Sequence, residues 1–253
     1  MLRFASLGSG SKGNGTLVEG GSTCILIDCG FSVRETERRL ARLGRHPSDL
    51  SAILVTHEHG DHLRGALPLA RKHQIPVMMT PGTARGGRLG AGDGLLLIKP
   101  QQAFHLAEFH VVPVAVPHDA GEPVQFTVTF AGRKVGVLTD LGSITTSVTT
   151  HFADCDGLLL EANHDLHMLY TGRYPPALKA RVGGSWGHLN NGQAADLLSR
   201  IERRRIQTLV LGHISQQNNT PQLVADAVAP WVTGMEKVIY ACQDEGFGWQ
   251  HIN

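Results

Sequence analysis

The sequence has few cysteines, no long apolar run and almost no net charge. Its four cysteines show no Cys-x-x-Cys spacing, which disfavours a disulfide scaffold and a thiolate zinc site. No apolar run approaches the ~18 residues that a membrane span requires. Glycine interrupts the amino-terminal apolar residues at Gly8, before the core of a signal peptide could form. We therefore predict a cytoplasmic protein without a membrane partner.

The charge balance limits how the protein could hold nucleic acid. Lysine and arginine number 23 against 22 aspartates and glutamates, a formal net charge of +1. Binding by bulk electrostatics is therefore excluded, whereas a local basic groove is not. The 253 residues, 42% of them hydrophobic, suffice for one well-buried domain, which we predict to span residues 1–253.

Glycine and histidine are abundant, with 30 and 14 residues. Neither follows a collagen period or a disorder composition, so the histidines need a chemical explanation.

Apolar runs and turn residues predict many strands with helices between groups of them. Helices are predicted at 32–44, 63–73, 193–202 and 222–232, and the stretch 162–191 is predicted to be rich in loops. The predicted strands are 2–7, 16–19, 23–28, 52–56, 75–80, 95–98, 109–116, 124–130, 134–139, 157–161, 208–212 and 237–242, the last of which closes the chain. This order favours a layered α/β sandwich over a doubly wound sheet.

A glycine-rich loop near the start imitates a dinucleotide-binding fingerprint. Gly8 to Gly13 match G-x-G-x-x-G, and Asp28 follows 20 residues after Gly8. The fingerprint requires a helix after the last glycine, whereas here a strand is predicted. We therefore predict no nucleotide cofactor, and the loop either makes a turn or approaches a phosphate with its N–H groups.

The strongest motif is His57-x-His59-x-Asp61-His62, which ends an apolar strand and precedes a helix. On such a turn alternate side chains point the same way, so His57 and His59 can address one ion while Asp61 and His62 address another beside it. Three imidazoles and a carboxylate suit zinc, manganese or iron.

Further candidate ligands follow other predicted strands. His118, Asp140 and His213 each come after an apolar run. Strand ends in a rigid sheet can hold ligands to the tolerance that a metal requires. The sequence therefore predicts that these residues join the cluster.

At these residues the sequence resembles the metallo-β-lactamase superfamily. The resemblance implies a four-layer αβ/βα sandwich with two divalent metal ions. It implies that His57, His59 and His118 hold one ion, that Asp61, His62 and His213 hold the other, and that Asp140 bridges them. It also implies that Asp28 orients the ligand loop by hydrogen bonds without binding metal.

Five further segments resemble the YycJ/WalJ-like branch, whose members are described as exodeoxyribonucleases. They are LGSGSKGN (7–14), VPHDA (116–120), EANHD (161–165), GHLNN (187–191) and GHIS (212–215). This resemblance implies a phosphodiesterase that degrades DNA from 5′ to 3′. DNA is then the expected partner, and the oligomeric state stays open.

In such a mechanism the two metals generate a hydroxide that attacks phosphorus. Asp61 can position the water and accept its proton. His188, His164 and Lys12 are the candidates to help the leaving oxygen depart. Ser11, Lys12, Asn14, Asn163 and Asp165 are expected to orient ligands or substrate. Basic residues predicted around the site are Lys12, Arg64, Arg173, Lys179 and Arg181.

Two alternatives remain. The same seven ligands also serve thioester, lactone or cyclic-phosphate hydrolysis. A metal-stabilised regulatory module without turnover is the alternative outside enzymes, although such a module has little reason to keep a complete ligand set.

Overall fold

The computed structural model describes residues 1–90 and 94–253, which form two seven-stranded sheets. The first sheet has the order β14-β1-β2-β3-β4-β5-β6. Its strands are β1 (Leu2–Gly8), β2 (Gly15–Gly20), β3 (Thr23–Ile27), β4 (Ala52–Leu54), β5 (Val77–Met79), β6 (Leu95–Leu97) and β14 (Phe247–Ile252). Strands β3 to β6 run parallel to one another, and β1 and β2 form the predicted amino-terminal hairpin.

The second sheet has the order β13-β12-β11-β10-β9-β8-β7. Its strands are β7 (Phe104–Leu106), β8 (Phe109–Ala115), β9 (Val124–Phe130), β10 (Arg133–Leu138), β11 (Gly157–Glu161), β12 (Thr208–Gly212) and β13 (Lys237–Tyr240). Strands β10 to β13 are parallel, and β8 points the same way because two antiparallel pairings separate it from β10.

Helices cover the outer face of each sheet. They are α1 (Val33–Arg42), α2 (Gly60–Leu63), α3 (Ala66–His73), α4 (Pro81–Gly86), α5 (Thr146–Phe152), α6 (Leu166–Thr171), α7 (Pro176–Val182), α8 (Asn191–Arg200) and α9 (Pro221–Val232). Helices α1 and α3 pack on the first sheet, and α5, α8 and α9 pack on the second. The four layers confirm the predicted αβ/βα sandwich.

Alternation along the buried strands builds three apolar layers. In β11, Leu159 faces the other sheet and shares an apolar cluster with Phe4 of that sheet, while Leu158 and Leu160 face the helices. Successive side chains of a strand point to opposite faces, so a continuous apolar run is what a strand buried on both faces requires. This packing holds the strand ends in fixed positions.

Two predictions about chain order are wrong. The chain does not close on the strand at 237–242, because β14 follows and pairs antiparallel with β1, Leu2 opposite Ile252. The stretch 162–191 contains α6 and α7, which were predicted as loop. Both helices are short and flanked by glycine or proline, so they span too few residues to show a helical period.

No helix within residues 1–90 and 94–253 combines the length and the apolar character that crossing a bilayer demands.

Candidate metal centre

The predicted ligands converge at one edge, where strands of both sheets end. Asp28 follows β3, residues 56–62 follow β4, and His118 follows β8. On the second sheet, His213 comes directly after β12, and Asp140 follows β10 after one intervening residue. Because these strands point the same way, their carboxyl ends bring distant parts of the sequence into one cluster.

Three of these residues have left-handed backbones that only glycine adopts without cost. The φ angles are 63° at Asp28, 50° at Asp140 and 53° at His213. Such a conformation costs an L-residue about 1 kcal/mol or more and persists only where its surroundings impose it. Here it turns the chain sharply after the strand and directs each side chain into the cluster.

The first half of the cluster consists of imidazoles. His57 Nε2 lies 3.1 Å from His59 Nδ1, which lies 3.3 Å from His118 Nε2. The other nitrogens of two rings are engaged, since His57 Nδ1 donates to Thr56 Oγ1 (2.9 Å) and His118 Nδ1 donates to the Gly187 carbonyl (2.9 Å). Burial lowers the pKa of His57 and His118, so both rings are neutral and keep a lone pair toward the cluster.

The second half combines imidazoles with carboxylates. His62 Nε2 lies 3.0 Å from Asp140 Oδ2 and 3.5 Å from Asp61 Oδ2. His213 Nε2 lies 3.6 Å from Asp140 Oδ1 and 3.8 Å from Asp61 Oδ2. This His213 nitrogen is buried and has no hydrogen-bond partner in the described part of the chain. A buried donor without a partner is costly and indicates a ligand that completes it.

Protonation in the second half is opposite to that in the first. Burial lowers the pKa of His62 and of His213, but nearby carboxylates, above all Asp140, raise both by more than burial lowers them. The pKa of His62 therefore lies well above its usual value, and that of His213 rises to about 10. The same pairing lowers the pKa of Asp140 against the effect of its burial. Positive charge therefore stabilises this pocket of carboxylates.

The arrangement fits divalent cations. Ligand nitrogens about 2.0–2.1 Å from a tetrahedral zinc lie about 3.3 Å apart, close to the spacing of the three imidazoles. Asp140 belongs both to a group with His57 and His62 and to a group with His188 and His213, so its carboxylate lies between the two halves. Imidazole and carboxylate donors are those that zinc and manganese accept.

Other residues fix the orientation of the rings. Asp28 accepts from the Thr56 backbone N–H (2.8 Å), the Thr56 hydroxyl (2.9 Å) and His62 Nδ1 (2.8 Å), which directs His62 Nε2 into the cluster. The Asn163 amide donates to the His213 carbonyl (3.0 Å), and the Asn14 amide lies 3.0 Å from His62 Nε2. Partners of this kind set the ring orientation and basicity of metal ligands.

A carboxylate that the sequence analysis missed joins the site. Glu161 is fully buried, and its Oε1 accepts from His188 Nδ1 (2.8 Å) and His213 Nδ1 (3.1 Å). Burial raises the pKa of Glu161, but His188 and His213 bring it down to about 2. The carboxylates of Glu161 and Asp140 in turn raise the pKa of His188 above its usual value despite burial. Glu161 could have been found, because it ends an apolar strand just as Asp140 follows one.

A cavity of about 400 Å³ opens onto this cluster. Asp61, Asp140, His188 and His213 lie on one side, and α7 with the residues before it lies on the other. Further lining residues are Ser11, His59, Gly60, Asp119, Tyr174, Leu178, Arg181, Val182 and Gly187. Arg181 forms an ion pair with Asp119, which is the residue after His118 and was also missed. The cavity therefore meets both halves of the cluster.

Several predicted residues lie elsewhere. His164 is fully buried and does not line the cavity, and burial lowers its pKa to about 4. Asp165 accepts from the Met168 backbone N–H (2.8 Å) and caps α6. Lys12 is exposed and donates its backbone N–H to the Gln243 side chain (2.7 Å). Of the predicted basic residues, Arg181 is the one that lines the cavity.

The remaining basic residues lie outside the lining. Arg64 donates to the Gly30 carbonyl (3.1 Å), and Lys179 Nζ donates to the Tyr170 carbonyl (2.8 Å). Arg173 lines a separate surface cavity beside α6 with Gln217.

Comparison with known proteins identifies relatives across nearly the whole chain. The model of the "Beta-lactamase superfamily domain" matches residues 23–214. The chain is 31% identical to exodeoxyribonuclease WalJ of Streptococcus pneumoniae serotype 2 strain D39 over 228 residues, which cover 88% of this chain and 85% of the relative. It is also 31% identical to exodeoxyribonuclease YycJ of Bacillus anthracis over 232 residues, 90% of this chain and 88% of the relative.

Among solved structures, the metallo-β-lactamase fold protein YhfI of Bacillus subtilis superposes with a TM-score of 0.75. The match covers 99% of this chain and all of that chain at 17% identity. At this identity the likeness concerns the fold.

Proposed function

The chain belongs to the beta-lactamase superfamily of metal-dependent hydrolases, and from this premise we propose that it is a DNA exonuclease that works from the 5′ end with two divalent cations. The observation that carries the proposal is the identity of 31% to two proteins named exodeoxyribonucleases over about nine-tenths of the chain. The convergence of imidazoles and carboxylates on one cavity supports it.

The ligand roles follow the two halves of the cluster. We assign His57, His59 and His118 to one cation and Asp61, His62 and His213 to the other, with Asp140 as the bridge. The distances between neighbouring donor atoms support these assignments. Zinc or manganese, and less closely iron, suits this donor set. We treat residues 1–253 as one hydrolase domain, because both sheets share the central apolar layer.

Two cations held by these residues would lower the pKa of a bound water toward neutrality and offset negative charge on a phosphate. Asp61 is buried to about three-quarters and retains an exposed edge at the cavity, so it can orient that water and accept its proton. Its pKa is lowered by His62 and His213 against the effect of burial, which keeps its carboxylate ionised.

The leaving oxygen needs a proton, and His188 is the residue placed to supply it. Its Nδ1 is bound by Glu161, so Nε2 is the nitrogen left for the cavity. Glu161 and Asp140 raise the pKa of His188 despite its burial, which favours the protonated ring. His164 is buried outside the cavity lining and its lowered pKa favours the neutral ring, so we restrict it to a supporting role with Asn163 and Asp165. We propose that Ser11 and Lys12 contact the substrate from the glycine-rich loop.

The test uses a double-stranded oligonucleotide labelled at either the 5′ or the 3′ end. Protein reconstituted with manganese or zinc is expected to release labelled mononucleotide at once from the 5′-labelled strand and to shorten the 3′-labelled strand stepwise. Asp140→Asn should do neither, while Arg200→Gln, which changes an exposed ion pair on α8, should behave as the parent. Release of label first from the 3′ end would overturn the polarity.

Absence of cleavage with both cations bound would overturn the choice of DNA and favour small phosphodiesters or thioesters.

The four free cysteines and a DNA substrate fit the predicted location in the cytoplasm.

A further inference from the structure

Residues 166–186, which we name the cavity wall, carry exposed aromatic side chains beside the cluster. The chain has three tryptophans and three tyrosines, and half of these six residues lie in this segment. The Trp186 side chain is 61% exposed and Tyr170 is 60% exposed, while Tyr174 lines the cavity. Exposed aromatic residues in a segment that lines a site indicate a binding surface.

The other two tryptophans show what is unusual about Trp186. The guanidinium of Arg3 lies 4.3 Å from the ring centre of Trp249, and that of Arg203 lies 4.8 Å from the ring centre of Trp231. Within residues 1–90 and 94–253, no cation or ring covers Trp186. With 61% of its side chain exposed, Trp186 has indole surface available to a flat ligand group.

Apart from the buried Leu169, little of the cavity wall belongs to the core. Helix α7 buries none of its residues, and Leu178 and Val182 line the cavity rather than an apolar layer. Backbone contacts connect the wall to the cluster, because Trp186 accepts from the Asp119 N–H (3.0 Å) and Gly187 accepts from His118 Nδ1 (2.9 Å). Trp186 thus stands one residue from the carbonyl that orients a predicted metal ligand.

The wall also carries positive charge suited to phosphate. Arg173, Lys179 and Arg181 lie within it, and Arg181 lines the cavity. Lysine or arginine alternating with exposed aromatic rings is how proteins hold single-stranded nucleic acid, since bases stack on the rings while cations contact the backbone.

The cavity volume of about 400 Å³ is in the lower range for small-molecule sites. A double helix is too wide to enter it, so the end of a strand is expected to separate from its complement before its phosphate reaches Asp61 and His188.

We propose that Trp186, assisted by Tyr170 and Tyr174, stacks against unpaired bases of the DNA strand whose terminal phosphate enters the cavity. An end whose terminal bases are unpaired is then expected to bind more tightly than a blunt duplex end. This inference rests on the proposed function, because it assigns a role to residues around the same site.

Binding is measured apart from turnover, so that the two proposals fail separately. The probe is a fluorescein-labelled 12-nucleotide single strand, and its anisotropy is followed with Asp140→Asn protein. Adding Trp186→Ala to this background is expected to weaken binding about tenfold, as the loss of one base–aromatic stack does. Trp186→Phe should recover most of the affinity, because a phenyl ring still stacks. Trp231→Phe is the matched control and should change nothing.

Unchanged affinity in Trp186→Ala, or a blunt duplex bound as tightly as the single strand, would overturn the inference. Failure of the wild-type protein to cleave any DNA would overturn the proposed function instead. The cation content of purified Trp186→Ala provides a second measure of the site. It should match that of the wild type, and a loss of cation would show that Trp186 merely supports the metal centre.

Discussion

The strand ends and the cavity wall border the same cavity but are built on different principles. At the strand ends, His57, His62 and His213 are almost fully buried between packed layers. In the wall, α7 buries no residue and Trp186 is mostly exposed. The first region is held by the core of the whole molecule, whereas the second is held by a few polar contacts.

This difference separates chemistry from recognition. Metal ligands must be fixed to fractions of an ångström, which the carboxyl ends of buried strands provide. Contacts with a flexible strand of nucleic acid tolerate more variation, which a surface segment provides. Substitutions at the strand ends should therefore change cation binding or kcat, and substitutions in the wall should change KM.

The largest effect is expected at Asp140. Asp140→Asn removes the carboxylate charge between the two halves of the cluster, so we expect turnover to fall by about a thousandfold or more and cation content to drop. DNA hydrolysis and metal analysis of the purified variant measure this. Asp154→Asn, an exposed carboxylate paired with Lys134, is the control. Full activity with normal metal content in Asp140→Asn would refute the bridging role.

A smaller loss is expected from His188→Ala. General acid catalysis contributes about 10²–10⁴ in rate, so kcat for DNA should fall within that range while both cations stay bound. A p-nitrophenyl ester should lose far less, because its leaving group departs without a proton. Exposed His105 provides the control, as His105→Ala. Equal losses for both substrates, or loss of metal, would contradict the assignment.

Asp28→Asn tests the strand ends without touching a ligand. Asp28 holds Thr56 and His62 through four hydrogen bonds, and loss of such support commonly weakens metal affinity about 10- to 100-fold. Competition with a chelator measures zinc affinity directly. An unchanged affinity would show that the packed core alone orients His62.

Much of the strand-end region could be predicted from the sequence because its physical causes are local. Strands 157–161 and 208–212 were predicted with the bounds that β11 and β12 have, since a strand buried on both faces is a short continuous apolar run. Polar residues directly after such runs, His213 among them, then fall at one edge of the sheet. The same rule applied to Glu161 would have found it.

The wall and the last strand could not be predicted in this way. Helices α6 and α7 have only six and seven residues, and α7 has no buried stripe. Their sequences therefore show no helical period of apolar residues. Strand β14 exists because it pairs with β1 at the opposite end of the chain, and its register is a tertiary contact without a local signal. Elements that are buried in the core are thus predicted from the sequence more accurately than elements at the surface.

The smallest expected effect lies in the wall and tests the other side of the comparison. Arg181→Gln removes one cation at the cavity, so KM for single-stranded DNA should rise a few-fold while kcat stays unchanged. The slope of log KM against log salt should decrease by about 0.7, the value for one contact with a single-stranded phosphate. Arg200→Gln, which breaks an exposed ion pair with Asp196 on α8, should leave both quantities unchanged. A loss of kcat in Arg181→Gln would mean that its pairing with Asp119 supports His118, and the wall would then belong to the chemistry as well as to recognition.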